Sequence, residues 1–188
     1  MTLCQEKVTV GITCYNASQT IERAIRSAQR QAWDNLEIII VDDLSSDHSA
    51  ELVERVIATD PRAKLIRHPK NRGAAEARNT LIAHATGEFL AFFDDDDESH
   101  PERVACQVEA IRSFETSNPD SLVACYAGGE RQYDNGYIKP LPAIGSKGTP
   151  PQGLEVANYL LYYAKSEDRE FGSGTPTCAL MARRQFTK

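Results

Sequence analysis

The spacing of hydrophobic positions changes repeatedly along the chain. Short apolar runs rich in β-branched residues, typical of buried strands, alternate with stretches in which apolar residues recur every three or four positions, as on one face of a helix. The predicted strands cover residues 8–13, 36–41, 64–67, 88–93 and 122–126. The apolar faces of the predicted helices are Ile21/Ala24/Ile25/Ala28, Ala50/Val53/Val56/Ile57, Ala74/Ala77/Leu81/Ala85 and Val104/Val108/Ile111. This alternation predicts an α/β fold with a mainly parallel sheet and helices on both faces.

The predicted starts of two helices and a change in composition after about residue 128 complete this pattern. Gly73 is predicted to open the third helix, and Pro101 to occupy the first turn of the fourth. After about residue 128, prolines and glycines indicate loops, interrupted by an apolar helix over residues 154–164. We interpret this region as an elaboration on the ligand side of the sheet and the chain as a single domain.

Polar groups follow three of the predicted strands where each strand ends. The first ends in Thr13, Cys14, Tyr15 and Asn16, the second in Asp42 and Asp43, and the third in the four aspartates at 94–97. The carboxyl ends of parallel strands lie along one edge of a sheet, where open α/β folds bind their ligands. The three motifs are therefore predicted to meet in one crevice.

The four adjacent aspartates are the strongest single feature. Adjacent carboxylates repel one another, which raises their pKa values unless a cation is bound. Hard oxygen ligands suit Mg²⁺, Mn²⁺ or Ca²⁺. Because residues two apart in an extended chain point the same way, alternate aspartates of this run are able to converge on one ion. The alternative is a solvated acidic turn.

Composition excludes several classes of protein. The net charge of −6 over 188 residues disfavours nucleic-acid binding. No stretch approaches the roughly 20 apolar residues of a transmembrane helix, and the N-terminus lacks the build of a secretory signal. Five scattered cysteines without a C-x-x-C pair indicate a reducing cytoplasm and are predicted to be small core residues. The four histidines share no metal-like spacing and are predicted to be solvated, whereas Trp33 is predicted to be a packing anchor.

Four further roles each have a structural alternative. Tyr15 offers a ring on which a nucleobase stacks, or is a half-buried core residue. Asp42 or Asp43 accepts the imide N–H of uracil or thymine, or caps the next helix. Gly73 allows an anion to approach a helix start, or forms a tight turn. Arg78 pairs with the acidic cluster or contacts a nucleotide, or is a surface arginine.

These motifs together resemble those of family 2 glycosyltransferases with the GT-A fold. The matching segments are residues 8–16 ending in Thr-x-Tyr-Asn, 37–43 with Ser45 following, 73–79, 85–89 and 93–97. The resemblance is close over about residues 6–115 and loose over 176–184. It implies a nucleotide-binding part at 1–127 and the start of an acceptor-side part, apparently truncated, at 128–188.

The resemblance also implies roles for single residues. The acidic run looks like the DXD motif, with Asp94 and Asp96 as its two acids and Asp96 as a direct ligand of Mn²⁺ or Mg²⁺. Asp95 would lean towards the ribose, Asp97 would orient its neighbours, and Asp43 would face the base. The remaining nucleotide contacts implied are Thr13, Tyr15, Asn16, Gly73 and Arg78, and Asp94 contacts the nucleotide as well as the metal.

The implied reaction is metal-dependent, inverting transfer of a sugar from a nucleotide-diphosphate sugar, expected to be a UDP-sugar, to an acceptor hydroxyl. Glycan, lipid-linked and protein acceptors stay open, and the expected location is cytoplasmic, with peripheral attachment to the membrane left open. The catalytic base is expected downstream of Lys188, so these residues are expected to bind a nucleotide but transfer sugar poorly. The alternatives are a non-catalytic nucleotide-binding module and a sugar-phosphate nucleotidylyltransferase; the absence of a glycine-rich loop after the first strand counts against the latter.

Overall fold

Strands and helices alternate up to Ser117, as the hydrophobic pattern predicts. The computed structural model describes residues 6–119 and 121–187. The strands are β1 (Val8–Cys14), β2 (Leu36–Asp42), β3 (Ala63–Arg67), β4 (Phe89–Asp94), β5 (Ala124–Tyr126), β6 (Gly129–Gln132), β7 (Ile138–Leu141) and β8 (Leu180–Arg183). The α-helices are α1 (Ile21–Gln29), α2 (Ser49–Ile57), α3 (Ala74–His84), α4 (Arg103–Ser117) and α5 (Leu154–Tyr162).

The main sheet has six strands in the order β3-β2-β1-β4-β8-β5. The first four strands of this order are parallel, and β8 runs antiparallel to β4. From β1 the chain builds outwards through β2 and β3, then returns to place β4 on the other side of β1. The order therefore reverses between β1 and β4, and such a switch point leaves a crevice beyond the strand ends.

Helices cover both faces of this sheet, which confirms the predicted fold class. On one face, alternate residues of β1, β2 and β4 join the apolar sides of α1, α2 and α4 in a continuous core. Trp33 belongs to this core, as predicted. On the other face, Leu81 of α3 lies so close to Gly11 that a Cβ at Gly11 would come within 3.0 Å of its methyl group.

Several local predictions need correction. Ala74 is exposed, since it is the first residue of α3 and stands clear of the sheet. Pro101 precedes α4 by two residues instead of lying in its first turn, and β5 starts at Ala124, later than predicted. Cys14 is buried but Cys106 is exposed on the outer side of α4; Cys4 lies outside the described residues.

The chain forms two compact units. One comprises residues 1–125 and 181–188 and contains most of the sheet; the other comprises residues 126–180. The second unit holds the β6–β7 hairpin, which the hydrophobic pattern did not predict, and helix α5. Its aromatic contacts include Tyr159 against Phe171, with ring centroids 4.8 Å apart. Within the described residues, no helix combines the length and apolar character needed to cross a membrane.

Candidate functional site

A cleft of about 510 Å³ opens at the switch point between β1 and β4. Thr13 of β1 and Asp94 of β4 are register partners at its floor. Its lining comes from β1, β4, the turn after β2 and the start of α3: Thr13, Cys14, Tyr15, Asp43, Asn71, Gly73, Ala74, Ala77, Arg78, Asp94, Asp95 and Asp96. The structure thus brings together seven of the residues that the sequence predicts to bind nucleotide, and both predicted metal ligands.

The end of β1 presents an aromatic ring to this cleft. Tyr15 is 51% exposed, so its ring is not a core residue. Its backbone N–H donates to a carboxylate oxygen of Asp95 at 3.1 Å, which links the ends of β1 and β4. Asn16 does not line the cleft; its left-handed backbone (φ 52°) places the side-chain oxygen to accept a hydrogen bond from the Ser46 N–H at 2.8 Å. Asn16 therefore ties two loops together.

The acidic run changes direction immediately after the strand. β4 ends at Asp94, and Asp95 and Asp96 form a turn, so the alternation expected of an extended chain does not continue through the run. A guanidinium nitrogen of Arg23 donates to the backbone carbonyl of Asp96 at 2.7 Å. Arg78 lies 3.7 Å from a carboxylate oxygen of Asp94. The turn is thus fixed by cations on both sides.

The carboxylates of this turn are electrostatically unfavourable as they stand. Burial, reinforced by the charges of Asp96 and Asp94, raises the pKa of Asp95, and the hydrogen bond from Tyr15 offsets only part of that rise. A carboxylate oxygen of Asp94 and one of Asp97 lie within 4.8 Å of each other. Two oxygens at that separation are able to share a cation that takes ligands at roughly 2.0–2.6 Å. The donor set fits a hard divalent cation, and Asp97 joins Asp94 and Asp96 as a candidate ligand.

The two aspartates after β2 have different surroundings. Asp42 is fully buried; its carboxylate accepts the Ser45 N–H at 3.2 Å and the Arg67 Nε–H at 3.1 Å. It does not line the cleft, because its hydrogen bonds turn it into the loop that follows the strand. Asp43 does line the cleft. Neither aspartate caps α2. This helix begins at Ser49, whose backbone N–H and hydroxyl both donate hydrogen bonds to the Asp47 carboxylate.

Asp43 is held by three donors. His68 Nδ1–H donates to Oδ1 at 2.7 Å and Gly73 N–H to Oδ2 at 2.7 Å, while the Arg72 N–H is shared between Oδ1 at 2.9 Å and Oδ2 at 3.1 Å. Burial acts to raise the pKa of Asp43, but hydrogen bonds from His68 and from the backbone of Arg72 and Gly73 outweigh it, and the pKa is lowered. Asp43 is therefore an ionised carboxylate in a fixed orientation.

The prediction that all four histidines are solvated is wrong for His68. Its side chain is 5% exposed, with Nε2 2.9 Å from the Thr80 hydroxyl of α3. His48, His84 and His100 are exposed, as predicted. A single buried histidine interrupts no apolar period, so the hydrophobic pattern carries no signal for it. The only hint is its place directly after the β3 strand.

The loop before α3 contributes a second residue that the sequence analysis missed. Asn71 lines the cleft two residues before Gly73. Gly73 has φ 85°, a conformation that favours glycine, although a Cβ there would meet no described atom within 4 Å. The requirement at Gly73 is thus one of backbone geometry, which turns its N–H towards Asp43. A polar residue shortly before a helix-opening glycine was the available signal for Asn71.

Fold and site together define an α/β domain of the GT-A type with an acidic, nucleotide-sized cleft. The sequence profile of the family described as "Glycosyl transferase family 2" matches residues 9–186. The chain belongs to this family.

Individual relatives agree with this assignment. Over 141 residues the chain is 30% identical to the Escherichia coli "UDP-Glc:alpha-D-GlcNAc-diphosphoundecaprenol beta-1,3-glucosyltransferase WfgD", with 70% of this chain and 55% of the relative covered. The chain spans 29%, 36% and 53% of the lengths of three other curated relatives. It therefore corresponds to about a third to a half of such proteins.

Two solved structures show the same architecture. The mannosyltransferase PcManGT from Pyrobaculum calidifontis, in complex with GDP-Man and Mn²⁺, matches with a TM-score of 0.53 and 31% identity over 56% of this chain and 32% of that one. TarS residues 1–349 from S. aureus, in complex with UDP-GlcNAc, matches with a TM-score of 0.64 and 21% identity over 95% of this chain and 45% of that one. The second likeness concerns the fold alone.

Proposed function

We propose that the chain forms the donor-binding part of a glycosyltransferase that moves a sugar from a UDP-sugar to an acceptor hydroxyl. The observation that carries this proposal is the cleft at the β1–β4 switch point, where Tyr15, Asp43 and the acidic turn meet. Membership of glycosyl transferase family 2 supports it. So do the GDP-Man bound by PcManGT and the UDP-Glc in the name of WfgD.

The base-binding end of the cleft follows from two side chains. The exposed ring of Tyr15 offers a face on which a nucleobase stacks. Asp43 only accepts hydrogen bonds, so it suits a base with a ring N–H, such as uracil. Thr13 and Asn16 complete the loop beside the base, while Asp42 supports that loop from inside the domain.

The diphosphate end is formed by the acidic turn and α3. We assign Asp94 and Asp96 as ligands of Mn²⁺ or Mg²⁺, with Asp95 near the ribose and Asp97 beside the metal. When bound, the cation neutralises charge on the departing diphosphate. Arg78 adds a positive charge beside Asp94, and the backbone at Gly73 leaves room for the donor at the start of α3.

The acceptor is the less constrained partner. The name of WfgD favours a lipid-linked acceptor over a free glycan or a protein. We propose an inverting transfer, for which a carboxylate takes the proton of the attacking hydroxyl on the face of the sugar opposite the diphosphate.

Calorimetry with UDP, with and without Mn²⁺, tests the donor site. We expect metal-dependent binding that Asp96→Ala weakens by at least about tenfold, because a charged ligand is removed from the cation. Asp134→Ala, in the exposed turn after β6, is the matched control and should bind as the wild type does. Absence of any metal-dependent heat with the wild type would refute the proposal. A non-catalytic module would bind UDP equally well but release no sugar from the donor when acceptors are supplied.

A further inference from the structure

The starting observation is a buried chain of polar groups behind the cleft. It runs from the Thr80 hydroxyl through both ring nitrogens of His68 to the carboxylate of Asp43. His68 and Asp43 are 5% and 3% exposed, so water does not substitute for these contacts. These hydrogen bonds connect three separate segments, namely α3, the residue after β3 and the residue after β2.

The direction of the hydrogen bond between His68 and Asp43 is fixed by chemistry. Asp43 is ionised and only accepts, so Nδ1 of His68 carries a proton. Nε2 pairs with the Thr80 hydroxyl, as an acceptor in the neutral imidazole and as a donor in the imidazolium. The backbone N–H of His68 also donates to the Asp42 carbonyl at 2.9 Å, which holds the residue in register beside β2. His68 is thus locked at three points.

The consequence for Asp43 comes from counting its acceptor positions. A carboxylate has about four lone-pair sites. On Oδ1, His68 and Arg72 fill two; on Oδ2, Gly73 donates at 2.7 Å and the Arg72 N–H is shared at the longer distance of 3.1 Å. Oδ2 therefore carries the most weakly occupied acceptor site, on a side chain that lines the cleft. His68 is the one side chain among these donors, since Arg72 and Gly73 act through their backbone.

We propose that His68 is a positioning residue that gives the cleft its choice of nucleobase. By fixing Oδ1, it directs the weakly occupied acceptor site of Oδ2 towards the ring of the base. Uracil presents an N–H there, whereas cytosine presents a lone pair that a carboxylate repels. This inference rests on the proposed function, because it needs a nucleotide in the cleft, but it assigns a role to a residue that touches neither base nor metal.

UDP and CDP are the matched probes, because they differ only in the pyrimidine. Calorimetry with Mn²⁺ should show that the wild type binds UDP at least about tenfold more tightly than CDP, since CDP cannot make the charged hydrogen bond to Asp43. His68→Asn keeps an amide N–H near the position of Nδ1. In His68→Gln the amide group instead lies near the position of Nε2, and the hydrogen bond to Asp43 is lost. We expect His68→Asn to retain most of the UDP preference and His68→Gln to reduce the UDP-to-CDP ratio by about fivefold or more.

The outcomes separate positioning from a purely structural role. If His68→Gln weakens UDP and CDP by the same factor, or changes neither, the positioning role is refuted. If His68→Asn loses the preference as fully as His68→Gln, the hydrogen bond to Asp43 is not its source, and the inference fails as well. Circular dichroism and urea unfolding of both variants establish that the fold is retained. Failure of the wild type to bind any nucleotide would instead refute the proposed function, and this inference with it.

Discussion

Two carboxylates at opposite ends of the parallel strands, Glu37 at the amino ends and Asp95 at the carboxyl ends, have opposite electrostatic balances. At the amino edge, Glu37 of β2 is 8% exposed. It accepts the Thr9 hydroxyl at 2.7 Å, the Thr86 N–H at 3.0 Å and the Lys64 ammonium at 3.2 Å. Burial acts to raise the pKa of Glu37, but these donors outweigh it, and the pKa falls to about 2.

At the carboxyl edge, the balance has the other sign. Asp95 accepts the backbone N–H of Tyr15, yet burial and the charges of Asp96 and Asp94 raise its pKa. Glu37 has donors that outweigh its burial, whereas the hydrogen bonds to Asp95 do not outweigh its burial and the neighbouring charges. A carboxylate with a full set of protein donors stabilises the fold, whereas a cluster without one is suited to bind a cation.

Substitutions near the amino ends of the strands should destabilise the fold most. Gly87 has the closest backbone contacts in this region. Gly87 donates its N–H to the Thr9 hydroxyl, and a Cβ at this residue would come within 2.6 Å of the Thr9 nitrogen and 2.8 Å of two backbone oxygens. We expect Gly87→Ala to lower the free energy of unfolding by about 3 kcal/mol, since backbone atoms must move. Urea denaturation measures this. Gly129→Ala, where a Cβ would meet no described atom within 4 Å, should cost less than about 0.5 kcal/mol; equal losses in the two variants would contradict the packing argument.

Glu37 itself should be structural and not functional. Glu37→Gln keeps the shape of the side chain but removes the charge that three donors share, so we expect a loss of about 2 kcal/mol in the free energy of unfolding. Metal-dependent affinity for UDP, measured on the folded protein, should not change. Glu54→Gln, on the exposed side of α2, serves as the control for stability. A Glu37→Gln protein as stable as this control would show that the amino-edge network contributes nothing.

The pH dependence of the free energy of unfolding should reflect the lowered pKa of Glu37. The folded-state pKa of Glu37 is depressed from 4.5 to about 2, so its contribution is present above pH 4.5 and is lost as the pH falls towards 2. The difference in unfolding free energy between wild type and Glu37→Gln should therefore shrink across that window. Urea titrations of both proteins at a series of pH values measure it. A difference that stays constant from neutral pH down to pH 2 would rule out this linkage.

The carboxyl edge should respond in the opposite direction and by less. Asp95→Asn keeps an oxygen for the Tyr15 N–H and removes one of the mutually repelling charges. Without added metal at neutral pH, we expect the free energy of unfolding to rise by about 0.5–1 kcal/mol. Added Mn²⁺ should then stabilise the variant less than the wild type. Asp134→Asn is the control; destabilisation by Asp95→Asn in metal-free buffer would mean that the acidic turn is not under electrostatic strain.

The sequence predicts the strand ends that form the site better than it predicts the turn and the buried residue beside them, for physical reasons. The ends of β1, β2 and β4 are visible because uninterrupted apolar runs stop at polar residues, and parallel pairing forces those ends together. The course of the chain past Asp94 is not visible, because a turn at Asp95 and Asp96 depends on contacts such as that from Arg23. The burial of His68 likewise depends on partners from α3 and β2 that no local pattern reveals.

The β6–β7 hairpin is a different kind of omission. Gly129–Gln132 is exposed at every position, so it has no apolar alternation to detect. The Asn135-Gly136 pair was the signal, since such pairs favour tight hairpin turns. Gly136 has φ 80°, and the Tyr133 N–H donates to the Tyr137 carbonyl across this turn.

The antiparallel pairing of β8 with β4 has a consequence during synthesis on the ribosome. Ala91 pairs with Met181, which is made 90 residues later. Until then, the outer side of an apolar strand offers free amides and carbonyls to any neighbouring polypeptide. The nascent chain must keep this edge from mispairing until β8 emerges, so the edge of β4 stays sensitive to aggregation throughout the synthesis of the residues that separate the two strands.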